Sequence, residues 1–269
     1  MSEYVMWNGH LIWDADGSYG ATPNRVLAAE TDLNGRKHVI EDLGDRMQNL
    51  YRGTKAENRA YTIVVKMKAS GLYTITDLIA EWEAWHSKGL GQCLVERMTE
   101  NGVLVQLLAV AETPQWSDQG PTWATVTQTY TAAFPFWYPA SEQSATANFD
   151  GATPVSLAFN NLGSVPTWTR IEIEGPVETP KIACGTTWRQ EYNLTVEAGG
   201  TLAITCKTPA SAWYYPPVGA DVKAYNYRTF ASSFRKAKLP AGAGNLTLTA
   251  ASGTGPCTVY WTDLYEALP

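Results

Sequence analysis

The sequence has few of the residues on which catalytic and metal sites depend. Its 269 residues include only three histidines and four cysteines. There is no C-x-x-C pair and no histidine at a spacing typical of zinc ligands, which argues against a metal centre. Neither a phosphate-binding glycine loop nor a G-x-S-x-G nucleophile motif is present. We therefore expect no catalytic residues, no metal site and no cofactor.

Glu172 and Glu174 are the one pair of carboxylates whose spacing could indicate an active site. They alternate along a predicted strand, which places both side chains on one face about 7 Å apart. That separation is compatible with the two carboxyl groups of an inverting glycosidase. Carboxylates two residues apart on a solvent-facing strand usually form only a charged face. We predict a protein that is not an enzyme and keep the pair as the alternative.

Positive charge is also scarce. Lysine and arginine number 20 against 26 aspartates and glutamates, so the net charge is −6. The chain lacks the basic surface with which proteins bind nucleic-acid phosphates. An acidic protein could still surround a channel through which DNA passes, because repulsion of the phosphates prevents adhesion.

Long apolar runs and a signal peptide are absent. No stretch approaches the roughly eighteen consecutive apolar residues of a membrane span. The N-terminus has neither the basic region nor the apolar region of a secretion signal. We expect a soluble product that is, at least initially, cytosolic. In that compartment Cys206 and Cys257, which share strand parity with apolar neighbours, are expected to be buried free thiols.

Aromatic residues are abundant, with 11 tryptophans and 14 tyrosines, and the length suits two domains. Residues 74–87 form the one convincing helix, with a Thr74-x-x-Asp77 cap. Thr- and Tyr-rich residues 122–134 predict a long strand, and residues 93–98 and 103–110 predict a hairpin around Asn101-Gly102. Asn34-Gly35 predicts another tight turn between two short strands.

Two segments of the N-terminal half are candidates for subunit contacts. Residues 44–60 are polar and relatively basic, and they are either a solvated loop or a projecting loop that docks on a neighbouring subunit. The strand at residues 103–110 is apolar on nearly both faces, so another layer or another protomer must cover it. The candidate contact residues are Arg46, Tyr51, Arg52, Lys55, Val103, Val105 and Leu107.

The C-terminal half repeats short alternating segments separated by Gly-rich turns, which is typical of an antiparallel sandwich. Within it, Trp213, Tyr214 and Tyr215 precede Pro216-Pro217. Three roles fit this aromatic cluster. It could be a platform on which sugars stack, an anchor in a protein interface, or the lid of a hydrophobic core.

One ordered set of motifs spans the middle of the chain. Pro135-Phe136-Trp137-Tyr138 is followed by a Ser/Ala/Thr spacer, then by N-x-G-x-x-x-x-W-x-x-I-x-I-x-G-P at residues 161–176 and P-x-I at 180–182. This order resembles the distal tail proteins of long-tailed bacteriophages, the Dit family. Residues 239–250 and 257–265 are similar to the turn and final strand of the family's galectin-like domain, apart from the inserted Ala243-Gly244.

The resemblance implies an all-β protein with one α-helix and two antiparallel β-sandwich domains. Residues 1–139 would form a ring-forming domain, and residues 140–269 a galectin-like domain. Six copies would close into a ring that joins the tail tube to the tail-tip hub and lets DNA pass. The implied partners are the tail tube protein, the hub protein and receptor-binding or side-fibre proteins, all within the virion tail.

Two other functions compete with this one. The first is a carbohydrate-binding, lectin-like adhesion module, favoured by the aromatic content. However, galectin-type sites use His, Asn, Arg, Trp and Glu on one sheet face, and the C-terminal half contains no histidine. The second is a major tail tube subunit, which two complete domains make less suitable.

Overall fold

A computed structural model describes residues 3–14, 25–41, 50–69, 74–87, 90–207, 209–230 and 232–266, with the backbone alone for 14, 25–41, 50–57 and 235. The chain divides into two compact units. The first is Met1–Ala140 together with Tyr265–Pro269, and the second is Ser141–Leu264. The predicted boundary missed the return of the C-terminus to the first unit. There, Trp137 and Tyr265 exchange two backbone hydrogen bonds of 3.1 and 2.9 Å.

The first unit is built on one antiparallel sheet. Its order is β2-β1-β5-β6-β8-β4-β3, with β7 paired to β8 and β9 to β6. The elements are β1 (Tyr4–Trp7), β2 (His10–Asp14), β3 (Arg25–Glu41), β4 (Leu50–Lys68), α1 (Ile75–Trp85), β5 (Gln92–Met98), β6 (Leu104–Ala111), β7 (Gln115–Ser117), β8 (Trp123–Ala132) and β9 (Tyr138–Pro139).

The helix, the hairpin and the long strand agree with the sequence predictions. At the start of α1, the Thr74 side chain accepts a hydrogen bond from the Asp77 backbone, and the Asp77 side chain accepts one from the Thr74 backbone. This reciprocal capping satisfies two backbone donors that the first helical turn would otherwise leave unpaired. Leu78 and Trp82 lie on the buried face of α1.

A group of stacked rings fills part of the first unit's core. His86 stacks on Trp82 with 4.7 Å between ring centroids, and Trp7 lies 4.9 Å from Tyr130. His86 Nδ1 donates to the Trp82 carbonyl at 2.8 Å, because a carbonyl can only accept. In the neutral imidazole, Nε2 then accepts from the Tyr130 hydroxyl at 2.9 Å. The helix end is thereby tied to β8 through buried polar contacts.

Two predictions for residues 32–60 were wrong. Asn34-Gly35 is not a turn, since β3 runs through it to Glu41 and only shifts register between Asn34 and Arg36. Residues 50–60 are not a loop either, because they form the first half of β4. A long antiparallel partner satisfies more backbone groups than a tight turn would, and the extra residues are absorbed as a β-bulge.

The second unit contains sheets of seven, four and three strands. The first has the order β10-β23-β12-β17-β18-β19 with β20 on β12, the second β11-β21-β14-β15, and the third β16-β13-β22. The strands are β10 (Gln143–Asn148), β11 (Val155–Asn161), β12 (Thr167–Glu174), β13 (Val177–Glu178), β14 (Lys181–Cys184), β15 (Trp188–Glu191), β16 (Thr195–Val196), β17 (Thr201–Thr205), β18 (Ser211–Tyr215), β19 (Val222–Lys223), β20 (Lys238–Leu239), β21 (Gly242–Thr249), β22 (Ser252–Gly253) and β23 (Pro256–Trp261).

Alternation along these strands builds the second core. Ile171 and Ile173 of β12, Leu246 and Leu248 of β21, and Val259 of β23 are completely buried in one cluster. Each strand therefore contributes one apolar face, as expected for sheets packed face to face. All four cysteines are free, and Cys206 and Cys257 are buried as predicted. The protein is thus all-β, with one α-helix among the described residues.

Candidate assembly and binding surfaces

A two-stranded ribbon extends from the first unit's sheet. Arg59–Met67 of β4 lie between β8 on one side and β3 on the other, whereas residues 50–56 pair within the described structure only with residues 36–41 of β3. We call residues 36–41 and 50–56 the β3–β4 ribbon, which is about 20 Å long at the usual rise per residue. A lone pair of strands is marginally stable in water, so such a ribbon is suited to contacts with another protein.

The predicted basic contact residues fall in or near this ribbon. Arg46 lies outside the described residues. Tyr51, Arg52 and Lys55 lie on its β4 strand, where the backbone alone is described. The structure therefore locates their backbone on a paired strand rather than in an irregular loop.

Arg59, at the base of the ribbon, has an internal role that the sequence did not reveal. It is completely buried, and its guanidinium donates to the backbone carbonyl of Glu266. Burial of a charge is unfavourable unless hydrogen bonds compensate for it. Arg59 therefore helps to hold the C-terminal segment on the first unit, and it is not a surface cation.

In the strand predicted to contact another protomer, the exposed residues are not the ones that we expected. Val105 and Leu107 are completely buried in the first unit's own core, and Val103 packs against that core. The exposed members of β6 are Leu108 and Val110, at 38% and 40% exposure. Alternation sends the two sets to opposite faces, so the apolar surface left for a partner is the face of Leu108 and Val110. We call these two residues the β6 face.

The three aromatic residues of β18 do not form a single cluster. Tyr214 packs against the second unit's core, and its hydroxyl accepts from the Glu197 backbone N–H at 3.1 Å. Trp213 is half-buried, with the Lys223 ammonium 5.7 Å from its ring centroid, and Tyr215 is 42% exposed. The lid interpretation fits Tyr214, while Trp213 and Tyr215 remain candidates for contact with a sugar or a protein.

The carboxylate of Glu172 is engaged in a network on the outer face of β12. It accepts from the Tyr260 hydroxyl at 3.0 Å and pairs with Arg170. Arg170 also pairs with Glu142 at 2.8 Å and lies 3.7 Å above the Tyr260 ring. The hydrogen bond to Glu172 raises the pKa of the Tyr260 hydroxyl. These contacts form a polar network across neighbouring strands, of the kind found on the solvent-facing side of a sheet.

An open groove crosses the second unit beside the edge strand β15. It has a volume of about 760 Å³. The β14–β15 hairpin supplies one wall, and the segment before β20 supplies the other. The lining residues are Lys181, Ala183, Gly185, Thr186, Thr187, Trp188, Arg189, Phe230, Ser232, Ser233 and Lys236. We call this the β15 groove.

No family model matches the sequence, and no curated protein matches it. Solved structures do match. The crystal structure of the Dit protein (gp 19.1) of phage SPP1, described as a paradigm of the hub adsorption apparatus in phages infecting Gram-positive bacteria, superposes with a TM-score of 0.65 and 14% identity. This similarity covers 97% of this chain and 98% of the SPP1 protein, so the chain has the Dit fold.

Two structures of the phage P2 baseplate in its activated conformation, with calcium and with strontium, are also similar. Their TM-scores are 0.46 and 0.45 at 7% and 6% identity, with full coverage in the first and 99% of both chains in the second. No group of three His, Cys, Asp or Glu side chains able to hold a metal ion occurs in the described parts of the chain. In those parts no helix is long and apolar enough to cross a membrane.

Proposed function

We propose that this protein is a distal tail protein, a structural component of a bacteriophage tail. The observation that carries the proposal is the similarity of fold to SPP1 Dit over 97% of the chain. Independent support comes from the order of motifs between residues 135 and 182, because those motifs resemble the same family. The role is structural rather than enzymatic.

In this proposal six copies close into a ring at the end of the tail tube, and DNA passes through its centre. A ring requires one surface of each copy to meet a different surface of the next copy. The β3–β4 ribbon and the β6 face are the two surfaces of the first unit that we assign to this seam. The ribbon needs a partner because it is only two strands wide, and Leu108 and Val110 are apolar side chains exposed on a sheet.

The proposed partners follow the same family resemblance. The ring would contact the tail tube protein on one side and the tail-tip hub on the other. The second unit, which we propose to be galectin-like, would carry receptor-binding or side-fibre proteins. The protein would be made and assembled in the host cytoplasm and would end in the tail tip of the virion.

A lectin-like adhesion module is the second candidate. Arg170, Glu172 and Trp213 share the outer face of one sheet, and the β15 groove is open and polar. These features support ligand binding by the second unit. They are compatible with a tail location, because an adsorption protein can be both a ring subunit and a binder.

The first experiment measures the mass of the purified full chain by light scattering over a concentration range, followed by negative-stain imaging. We expect six-fold rings with a central hole, formed alone or on addition of the tail tube protein. Leu108→Lys with Val110→Lys should abolish the rings, because it places two charges in an apolar seam. Val218→Lys is the matched control, since Val218 is 88% exposed in the second unit.

Rings that disappear in the β6 double variant but persist in the Val218→Lys control support both the function and the seam. Rings in both variants would support the proposed ring but would exclude the β6 face from the contact between neighbouring copies. A strict monomer that also fails to join the tail tube protein contradicts the proposal.

A further inference from the structure

The β15 groove concentrates positive charge in a chain whose net charge is −6. Lys181, Arg189 and Lys236 line it, and the described lining residues include no carboxylate. Glu191 lies beside it and is 3.7 Å from Arg189, which offsets only part of the positive charge. The groove is therefore a local positive region whose sign is opposite to that of the whole protein, and it favours an anionic ligand.

The positive charge continues along the groove rather than stopping at one point. A second depression of about 490 Å³ shares Thr187 and Lys236 with the first and is lined further by Pro166, Lys238 and Pro240. The Lys238 ammonium lies 4.0 Å from the centre of the Trp168 ring. Successive cations along one channel match a chain of repeating anionic groups better than a single small anion.

Both ends of the groove's second wall are fixed to β15. The Ser232 hydroxyl accepts from the Glu191 backbone N–H at 2.8 Å and donates to the Glu191 carbonyl at 3.1 Å. The Trp188 indole donates to the Lys238 carbonyl at 2.7 Å. The groove is therefore formed before any ligand arrives, which reduces the entropic cost of binding.

The chemistry of the walls favours a saccharide over a peptide. Thr186, Thr187 and Ser233 line the groove together with the cations, and Phe230, which also lines it, is fully exposed. A peptide would typically add a strand to the sheet edge. That edge is already covered at Glu191, because the Thr229 backbone N–H donates to its carbonyl at 3.0 Å. An exposed ring can instead contact the apolar face of a sugar.

We propose that the β15 groove binds an anionic glycan, a saccharide chain bearing carboxylate or phosphate groups. Lys181, Arg189, Lys236 and Lys238 pair with the anionic groups. The threonine and serine hydroxyls bond to the sugar hydroxyls, and Phe230 contacts a sugar ring. The proposal rests on the lectin-like candidate function and names its ligand class. It does not depend on ring formation, so its test can fail while the distal tail function holds.

The test measures binding of the full chain to four immobilised polymers. Polygalacturonate carries carboxylates, phosphomannan carries phosphates, dextran is neutral, and poly-L-glutamate is an anionic peptide. We expect at least one anionic polysaccharide to bind about tenfold more tightly than dextran, and to release as ionic strength rises from about 0.05 M to about 0.5 M, because salt screens the charges. The preferred polysaccharide distinguishes carboxylate from phosphate recognition.

Paired variants separate the groove from overall charge. Lys181→Gln with Arg189→Gln should weaken glycan binding about tenfold, whereas Lys66→Gln with Lys68→Gln, which removes the same charge from exposed positions of the first unit, should change it less than about twofold. Phe230→Ser should weaken polysaccharide binding about threefold. Unchanged thermal unfolding in each variant shows that the fold persists.

Three results would overturn the proposal. The first is no binding of either anionic polysaccharide. The second is tighter binding of poly-L-glutamate than of both polysaccharides, which would make the groove a site for acidic protein segments. The third is an equal loss of binding in the Lys66/Lys68 control, which would mean that the polysaccharide is attracted to overall charge rather than to the groove.

Discussion

The side-chain oxygen of Asn161 accepts a 3.0 Å hydrogen bond from the backbone N–H of Gly163, two residues further along the chain. The Asn161 amide nitrogen donates to the carbonyls of Val165 and Pro240, each at 3.1 Å. A Cβ at Gly163 would lie 2.4 Å from the Leu264 backbone nitrogen, so only glycine fits there. The N-x-G motif that suggested the family therefore holds the end of the second unit in place.

Asn161→Asp tests this arrangement. Asn161 is completely buried, and aspartate cannot donate to the two carbonyls and would bring a charge into their vicinity. We expect the free energy of unfolding to fall by about 3 kcal/mol, measured by urea unfolding of the full chain. The adjacent Asn160→Asp is the control, since Asn160 is exposed and should change stability by less than about 0.5 kcal/mol. Equal effects of the two changes would refute the structural role of Asn161.

Tyr130→Phe tests the buried polar contact between α1 and β8. The change removes the hydroxyl that donates to His86 Nε2, while the ring continues to fill the core. We expect the free energy of unfolding of the first unit to fall by about 1–2 kcal/mol. Differential scanning calorimetry of the full chain measures this change. Burial raises the pKa of the Tyr130 hydroxyl well above its ordinary value, so it stays protonated and available as a donor. Tyr215→Phe, at an exposed ring, should have no measurable effect.

Asp77 gives the α1 cap a defined pH dependence. The backbone hydrogen bond from Thr74, followed by the Thr74 side chain, holds the pKa of Asp77 below 3.8 in the folded state. A carboxyl with a lowered folded pKa stabilises the fold above its unfolded pKa, and this contribution disappears as the pH falls through the folded pKa. Asp77→Asn should therefore be less stable than the parent at neutral pH and should approach it below pH 3.8. A stability difference between Asp77→Asn and the parent that stays constant at all pH values would exclude the ionised Asp77 cap as the cause of that difference.

The four thiols should differ in reactivity in the native protein. Burial raises the pKa of Cys206 to about 11 and raises the pKa of Cys257 as well. Since the thiolate is the reactive form, Cys206 and Cys257 should resist alkylation at neutral pH. Cys93 and Cys184 are half-buried and should be alkylated before the two buried thiols, although burial also raises the pKa of Cys184 and slows its reaction. Peptide mass spectrometry gives the order in which the thiols are alkylated, and denaturant should make their alkylation rates equal. Rapid native labelling of Cys257 would contradict its burial.

The correct sequence predictions depended on residues that are close together in the sequence. The α1 cap requires only Thr74 and Asp77 three residues apart, and the β5–β6 hairpin requires only a Gly that tolerates the positive φ of 75° found at Gly102. Alternation of Ile171 and Ile173 with charged neighbours likewise predicted a strand with one buried face. In each case the residues that decide the structure are neighbours in the chain.

The errors arose where distant segments competed with such signals. Asn34-Gly35 has the chemistry of a turn, but the long pairing of β3 with β4 extends the strand through it. Val105 and Leu107 could not be distinguished from Leu108 and Val110, because both sets are apolar and only the packing of α1 and neighbouring strands selects a face.

The sequence by itself determined the two-part β-rich organisation, the one helix and the motif order, because each follows from residue periods, caps and turns within a few positions. The tertiary structure decided which apolar face of β6 is exposed and that the C-terminus returns to the first unit. It also decided that Arg59 is buried and donates to the Glu266 carbonyl. It also brought Lys181, Arg189 and Lys236 to one groove from two separate segments. Such convergence depends on long-range strand pairing, whose partners no local window of the sequence contains.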